Sequence, residues 1–77
     1  MSKSTRVIVA ENVRHIRKTR KFSQEQLGDR ANVHRTYISM LERSETSVSL
    51  DLLTDIANAL KVPVDALLRK DFYKTLE

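Results

Sequence analysis

The chain's only glycine, Gly28, sits in the middle of a stretch whose apolar residues otherwise carry helical spacing. A glycine inside a helix costs about 1 kcal/mol relative to alanine, so a close backbone approach that leaves no room for a Cβ is the reasonable account of it. Four positions later stands Asn32, a residue that tolerates the left-handed conformation in which helices end. Leu27, Ala31, Val33, Ile38 and Leu41 lie where two short helices would pin each other. The pattern predicts two helices over about 24–43, crossing at roughly a right angle through a tight turn. A plain antiparallel helix pair explains the apolar residues but not the Gly28–Asn32 pair.

Helical patterning extends through the rest of the 77 residues, with one proline and no alternating strand segments. A first helix is expected over about Thr5–Arg20, with Val9, Val13 and Ile16 on one face. Ser23-Gln24-Glu25-Gln26 has the form of a capping box, opening a second helix that runs to about Ala31. A third is expected over about His34–Arg43, with Ile38 and Leu41 inward. The polar stretch 44–49 reads as a loop. Ser49 then caps a fourth helix whose stripe is Leu50, Leu53, Ile56, Ala57 and Leu60. Pro63 starts a fifth, lined by Val64, Leu67, Leu68, Phe72 and Leu76. The expected fold is an all-α, five-helix bundle forming one domain over 1–77, with residues 1–4 flexible.

Composition narrows the function. The chain has no cysteine, which excludes disulfides and thiolate metal sites and suits a reducing cytosol. No apolar run is long enough for a signal peptide or a membrane span, so a cytoplasmic protein without membrane partners is expected. Residues 1–43 carry a net +6 and residues 44–77 a net −2. A basic half and a mildly acidic half fit a nucleic-acid binder, although ordinary surface charge produces such asymmetry too. Arg17, Lys18 and Arg20 would also suit the dipole at the end of the first helix without any ligand. His15 and His34 are isolated, and no metal, thiol or phosphate-loop motif is present, so no catalysis, cofactor, metal or small-molecule ligand is expected. Four aromatics (Phe22, Tyr37, Phe72, Tyr73) form no stacking platform for RNA.

The window SQEQLGDRANVHRTYISMLERS resembles the helix-turn-helix of the phage-repressor (Cro/CI, or XRE) family. The resemblance runs from about Val9 to Leu68, through SLDLLTDIANAL and VPVDALL. Within it, HRTYISMLER resembles the small controller proteins of restriction–modification operons. It implies a lambda-repressor-like fold and a sequence-specific regulator of transcription on double-stranded DNA. The chain departs from the family at Ser44 and Lys61, where glycines are usual, and at Val48, where a proline is. These positions bear on turns rather than on the recognition face.

Roles follow from side-chain chemistry. Arg35, Thr36, Ser39 and Met40 share the outer face of the third helix and are the candidate base contacts. The forked Arg35 guanidinium matches guanine O6 and N7, while Thr36 and Met40 suit a thymine methyl. Arg43 shares this face and is assigned to base or backbone. The resemblance makes Tyr37 a backbone or central-base contact, though a place at the core edge suits it as well. Gln24 and Ser23, at the start of the second helix, are candidate phosphate contacts, as are Lys21, Thr46 and Ser47. The resemblance also implies an ion pair between Arg17 and Glu42 that fixes the third helix and holds Arg17 near a phosphate. A few base pairs per recognition helix is too little for specificity, so a homodimer on a palindromic operator is expected. Leu52, Leu68, Phe72 and Leu76 are its candidate interface. The competing reading is a protein-binding module of the same fold, such as an antitoxin or regulatory partner.

Overall fold

Four α-helices follow one another: α1 (Thr5–Thr19), α2 (Gln24–Ala31), α3 (Arg35–Glu42) and α4 (Leu50–Leu60). The computed structural model describes residues 3–76, and no strand occurs among them. None of these helices is long and apolar enough to cross a membrane. Met1 and Ser2, part of the segment expected to be loose, lie outside the described residues. Ser4 caps α1 by accepting from the Val7 amide, and Lys3 Nζ bonds Glu11 at 2.6 Å.

Each helix begins on a capping residue. Ser23 Oγ accepts from the Gln26 amide while Gln26 Oε1 takes the Ser23 amide, closing the capping box. Ser49 Oγ accepts from Leu52 at the head of α4. The ends are equally regular. Lys21, Asn32, Ser44 and Lys61 all take left-handed φ values between 60° and 62°. The amide just beyond each returns to the preceding helix: Phe22 to Arg17, Val33 to Gly28, Glu45 to Met40 and Val62 to Ala57, at 2.8–3.0 Å. This is the Schellman termination, usually made with glycine.

Gly28 is where α2 meets the following turn. A Cβ built there would stand 2.5 Å from the Val33 carbonyl oxygen and 3.3 Å from the Arg35 amide nitrogen. Only a residue without a side chain allows α3 to start so close to α2. Val9, Val13 and Ile16 of α1, Leu27 and Ala31 of α2, Ile38 and Leu41 of α3, and Leu53, Ile56, Ala57 and Leu60 of α4 join in one core.

Two expectations need correction. The fifth helix is absent; Pro63 is instead the cap of a 3-10 helix, Val64–Leu68, and a second one spans Phe72–Leu76. The chain breaks between them because Arg69 is extended and Asp71 has a φ of 61°. The cause lies in α1. Asn12, fully buried, donates from Nδ2 to the Leu67 and Arg69 carbonyls (3.0 and 2.8 Å), and its Oδ1 accepts from the Tyr73 amide at 3.0 Å. These backbone groups would otherwise bond within a continuous helix. Leu50, expected in the core stripe of α4, is 79% exposed. It is the first residue of α4, and burial begins one turn later at Leu53.

Candidate nucleic-acid interface

The turn at Asn32 delivers the chain to His34, which caps α3, and from there α3 shows its outer face to solvent. Arg35 and Thr36 are exposed in its first turn, Ser39 and Met40 half-buried, and Arg43 exposed at its end. Gln24, Arg35, Thr36, Ser39 and Arg43 line one open recess between α2 and α3. A neighbouring recess is lined by Arg14, Arg17, Lys18, Gln24, Ser39, Glu42 and Arg43. Gln24, Ser39 and Arg43 belong to both, so the α3 face continues directly onto the basic flank of α1. Arg14 and Lys18 are both exposed, and their spacing of four places them on one helical face; the sequence singled out Lys18 only as a partner of the helix dipole and Arg14 not at all.

Arg17 and Glu42 meet across that continuity. Arg17 Nε lies 2.7 Å from Glu42 Oε2 and Nη2 3.0 Å from Oε1, a two-point contact. Arg17 Nη1 also donates to the Phe22 carbonyl at 2.8 Å, and Gln24 Nε2 donates to Glu42 Oε1 at 3.2 Å. The Arg17 and Glu42 side chains are 10% and 4% exposed. Buried and bonded at all three guanidinium nitrogens, the pair locks the end of α1, the start of α2 and the end of α3 together. Its net stability is small because desolvation offsets attraction, but breaking one side leaves a buried charge.

Of the other expected residues, Thr46 and Ser47 line an apolar groove with Val9, Leu50 and Leu68 and neither of the α3 recesses. Lys21 is exposed at the left-handed end of α1, beside the capped start of α2. Ser23 uses its oxygen as a cap acceptor, which leaves its hydroxyl hydrogen free to donate. The Tyr37 hydroxyl donates to the Ser47 carbonyl at 2.5 Å and thereby ties α3 to the 44–48 loop. Thr46 Oγ1 donates to the same carbonyl, so its hydrogen is engaged within the loop, whereas Ser47 is exposed.

Arg43 Nε and Nη2 contact Glu45 Oε1 at 3.0 and 2.9 Å, and Nη1 donates to Ser39 Oγ. The hydrogen bond to Arg43 holds the Glu45 carboxyl below the usual carboxylate range, and Glu45 in turn raises Arg43. Glu45 is a counter-ion the sequence reading did not notice.

The sequence profile of the helix-turn-helix family HTH_3 matches residues 13–67. The chain belongs to this family. It is a helix-turn-helix regulator of transcription, and the close approach of the α2–α3 turn to Gly28 belongs to that motif. The family includes relatives that match most of the chain. The control protein C.SmaI of Serratia marcescens is 45% identical over 67 residues, covering 87% of this chain and 80% of its own. The control protein C.BamHI of Bacillus amyloliquefaciens is 42% identical, with coverage of 87% and 85%. The solution structure of the DNA-binding domain of the P22 c2 repressor superposes with a TM-score of 0.79 at 36% identity. It covers 83% of this chain and 84% of that one. The fold is thus shared with a phage-repressor domain, with four α-helices here in place of the five expected.

Proposed function

We propose that two copies of this chain bind a palindromic duplex, each with α3 in the major groove, and regulate a restriction–modification operon. One observation carries the DNA-reading geometry: Arg35, Thr36, Ser39 and Arg43 line a single recess that continues onto Arg14 and Lys18. Groups able to read base edges therefore adjoin groups able to neutralise phosphates, which is the division of labour a duplex demands. The operon assignment rests on the extent of likeness to C.SmaI and C.BamHI, both control proteins.

The second copy has a place to sit. Leu52, Phe72 and Leu76 pack partly on their own chain's core, whereas Leu68 is 44% exposed. Leu50 and Val64 are exposed too, and Leu50 and Leu68 line one apolar groove with Val9, Val48 and Leu53. A two-fold contact through Leu50, Val64 and Leu68 leaves α3 free for DNA and buries the most exposed large apolar side chains described. Half-sites would then repeat at about 10–10.5 base pairs or a multiple. Selecting bound fragments from random duplexes tests this. An inverted repeat at that spacing is expected, and enrichment of no sequence, or of a single unrepeated site, would overturn it.

A further inference from the structure

We propose that Glu45 is a specificity-determining residue: by binding Arg43 it keeps that guanidinium on the face of α3 and out of indiscriminate contact with phosphates. The proposal deepens the reading of α3 as the recognition helix and rests on it.

Arg43 closes α3 and lines both recesses of the candidate interface, whereas Glu45 lines neither. Side chains two residues apart on a helix do not face each other. Here Ser44 takes a φ of 61°, and the Glu45 amide returns to the Met40 carbonyl at 2.9 Å. The turn thus pins Glu45 by its own backbone to the end of α3, and its Oε1 meets Arg43 Nε at 3.0 Å and Nη2 at 2.9 Å. From the same guanidinium Nη1 donates to Ser39 Oγ, one helical turn back on the recognition face. All three of its nitrogens are therefore engaged, and the Arg43 side chain is drawn back along α3.

Stability does not explain this arrangement. The two side chains are 56% and 52% exposed, and an ion pair so open to water contributes little to folding. Its effect on a duplex is larger. An arginine left free at a helix end swings to any phosphate within reach, and such contacts bind every sequence alike. Glu45 cancels that charge and, with Ser39, fixes the guanidinium in place. A guanidinium carries five N–H groups, and three contacts leave two of them, so Arg43 can still meet a base edge without leaving Glu45. A phosphate has to compete with the carboxylate first. Random DNA therefore loses more to Glu45 than an operator does.

The test separates selectivity from folding. Glu45→Gln keeps the size of the side chain and removes its charge, so its melting temperature should stay within about 4 °C of the wild type. A larger drop would make Glu45 a brace of the fold and overturn the proposal.

Binding isotherms then compare the duplex recovered by selection with a random duplex. On random duplex at about 0.1 M salt, Glu45→Gln is expected to bind roughly fivefold tighter per protomer, with a salt slope steeper by about 0.9. On the selected duplex the gain should be smaller, because Arg43 recovers its charge but loses its orientation. The ratio of the two affinities should thus fall. In an Arg43→Ala background the same change should leave that ratio as it was, since the charge of a carboxylate alone acts on both duplexes alike. A ratio that does not fall would overturn the proposal. So would an equal fall in the absence of Arg43, which would mean that Glu45 acts on DNA by itself. Wild-type protein that prefers no duplex over another would overturn the functional reading, and this proposal with it.

Discussion

Arg35 and Gln24 line the same recess yet should behave differently when removed. Arg35→Ala is expected to cost about 1–3 kcal/mol on the cognate site and much less where its base pair has already been changed. Gln24→Ala removes a positioning contact and should weaken all sequences alike. Binding isotherms for both variants on both duplexes check this, and equal losses for Arg35→Ala on the two would make it another phosphate clamp. A second residue-scale expectation concerns the left-handed turn at Lys61, where φ is 61°. An L-residue in that conformation costs about 1–2 kcal/mol, while glycine gives back part of this through its freer unfolded chain. Lys61→Gly should therefore stabilise by roughly 0.5–1 kcal/mol, read from the urea midpoint. Gly28→Ala should do the opposite, because the added carbon meets a backbone carbonyl that cannot give way.

Between elements, two polar side chains carry the geometry. Glu42→Ala strands Arg17, whose side chain is 10% exposed, and should cost about 3–5 kcal/mol of stability. The same change should weaken DNA binding although Glu42 touches no DNA, because α3 loses its tie to α1 and Gln24 loses an acceptor. A variant that folds normally and binds DNA at wild-type strength would refute the positioning role. Asn12 does for the carboxyl end what Glu42 does for α3. Asn12→Ala leaves the Leu67 and Arg69 carbonyls and the Tyr73 amide without their partner, each worth about 1–3 kcal/mol when buried. Hydrogen exchange should then quicken across 64–76 while the amides of α2 and α3 stay protected. Uniform quickening over the whole chain would mean that these segments do not unfold separately.

At the scale of the whole molecule, a small single core of this size leaves little stability to lose, and the proposed pairing would add to it. Leu50→Glu and Leu68→Glu alter side chains that are 79% and 44% exposed, so the monomer should fold as before. Each should abolish the dimer in sedimentation at micromolar concentration and reduce operator affinity more than affinity for random duplex. A dimer unaffected by both changes would place the interface elsewhere. The charge asymmetry also acts at this scale. If the basic flank of α1, with Arg14 and Lys18, meets phosphates as proposed, Lys18→Ala should lower the salt slope by about 0.9 per protomer.

The amino-acid sequence alone determined whatever depends on groups a few residues apart. The capping box at Ser23 closes over three residues, and the left-handed turn at Asn32 returns its bond from Val33 to Gly28 over five. Such devices carry their own chemistry, so the turn, the helix starts and the outward face of α3 were legible before any fold was known. The Arg17–Glu42 pair, 25 residues apart, was reachable only through resemblance to a family. Tertiary structure decided the rest. Nothing near Asn12 in sequence announces that its carboxamide will meet backbone 55–61 residues away and split the expected fifth helix in two. Leu50 likewise fits the apolar period of α4, and only the position of neighbouring helices leaves it in solvent. Periodicity assigns a residue to a face, but burial requires another element to cover that face, and covering is a property of the assembled chain.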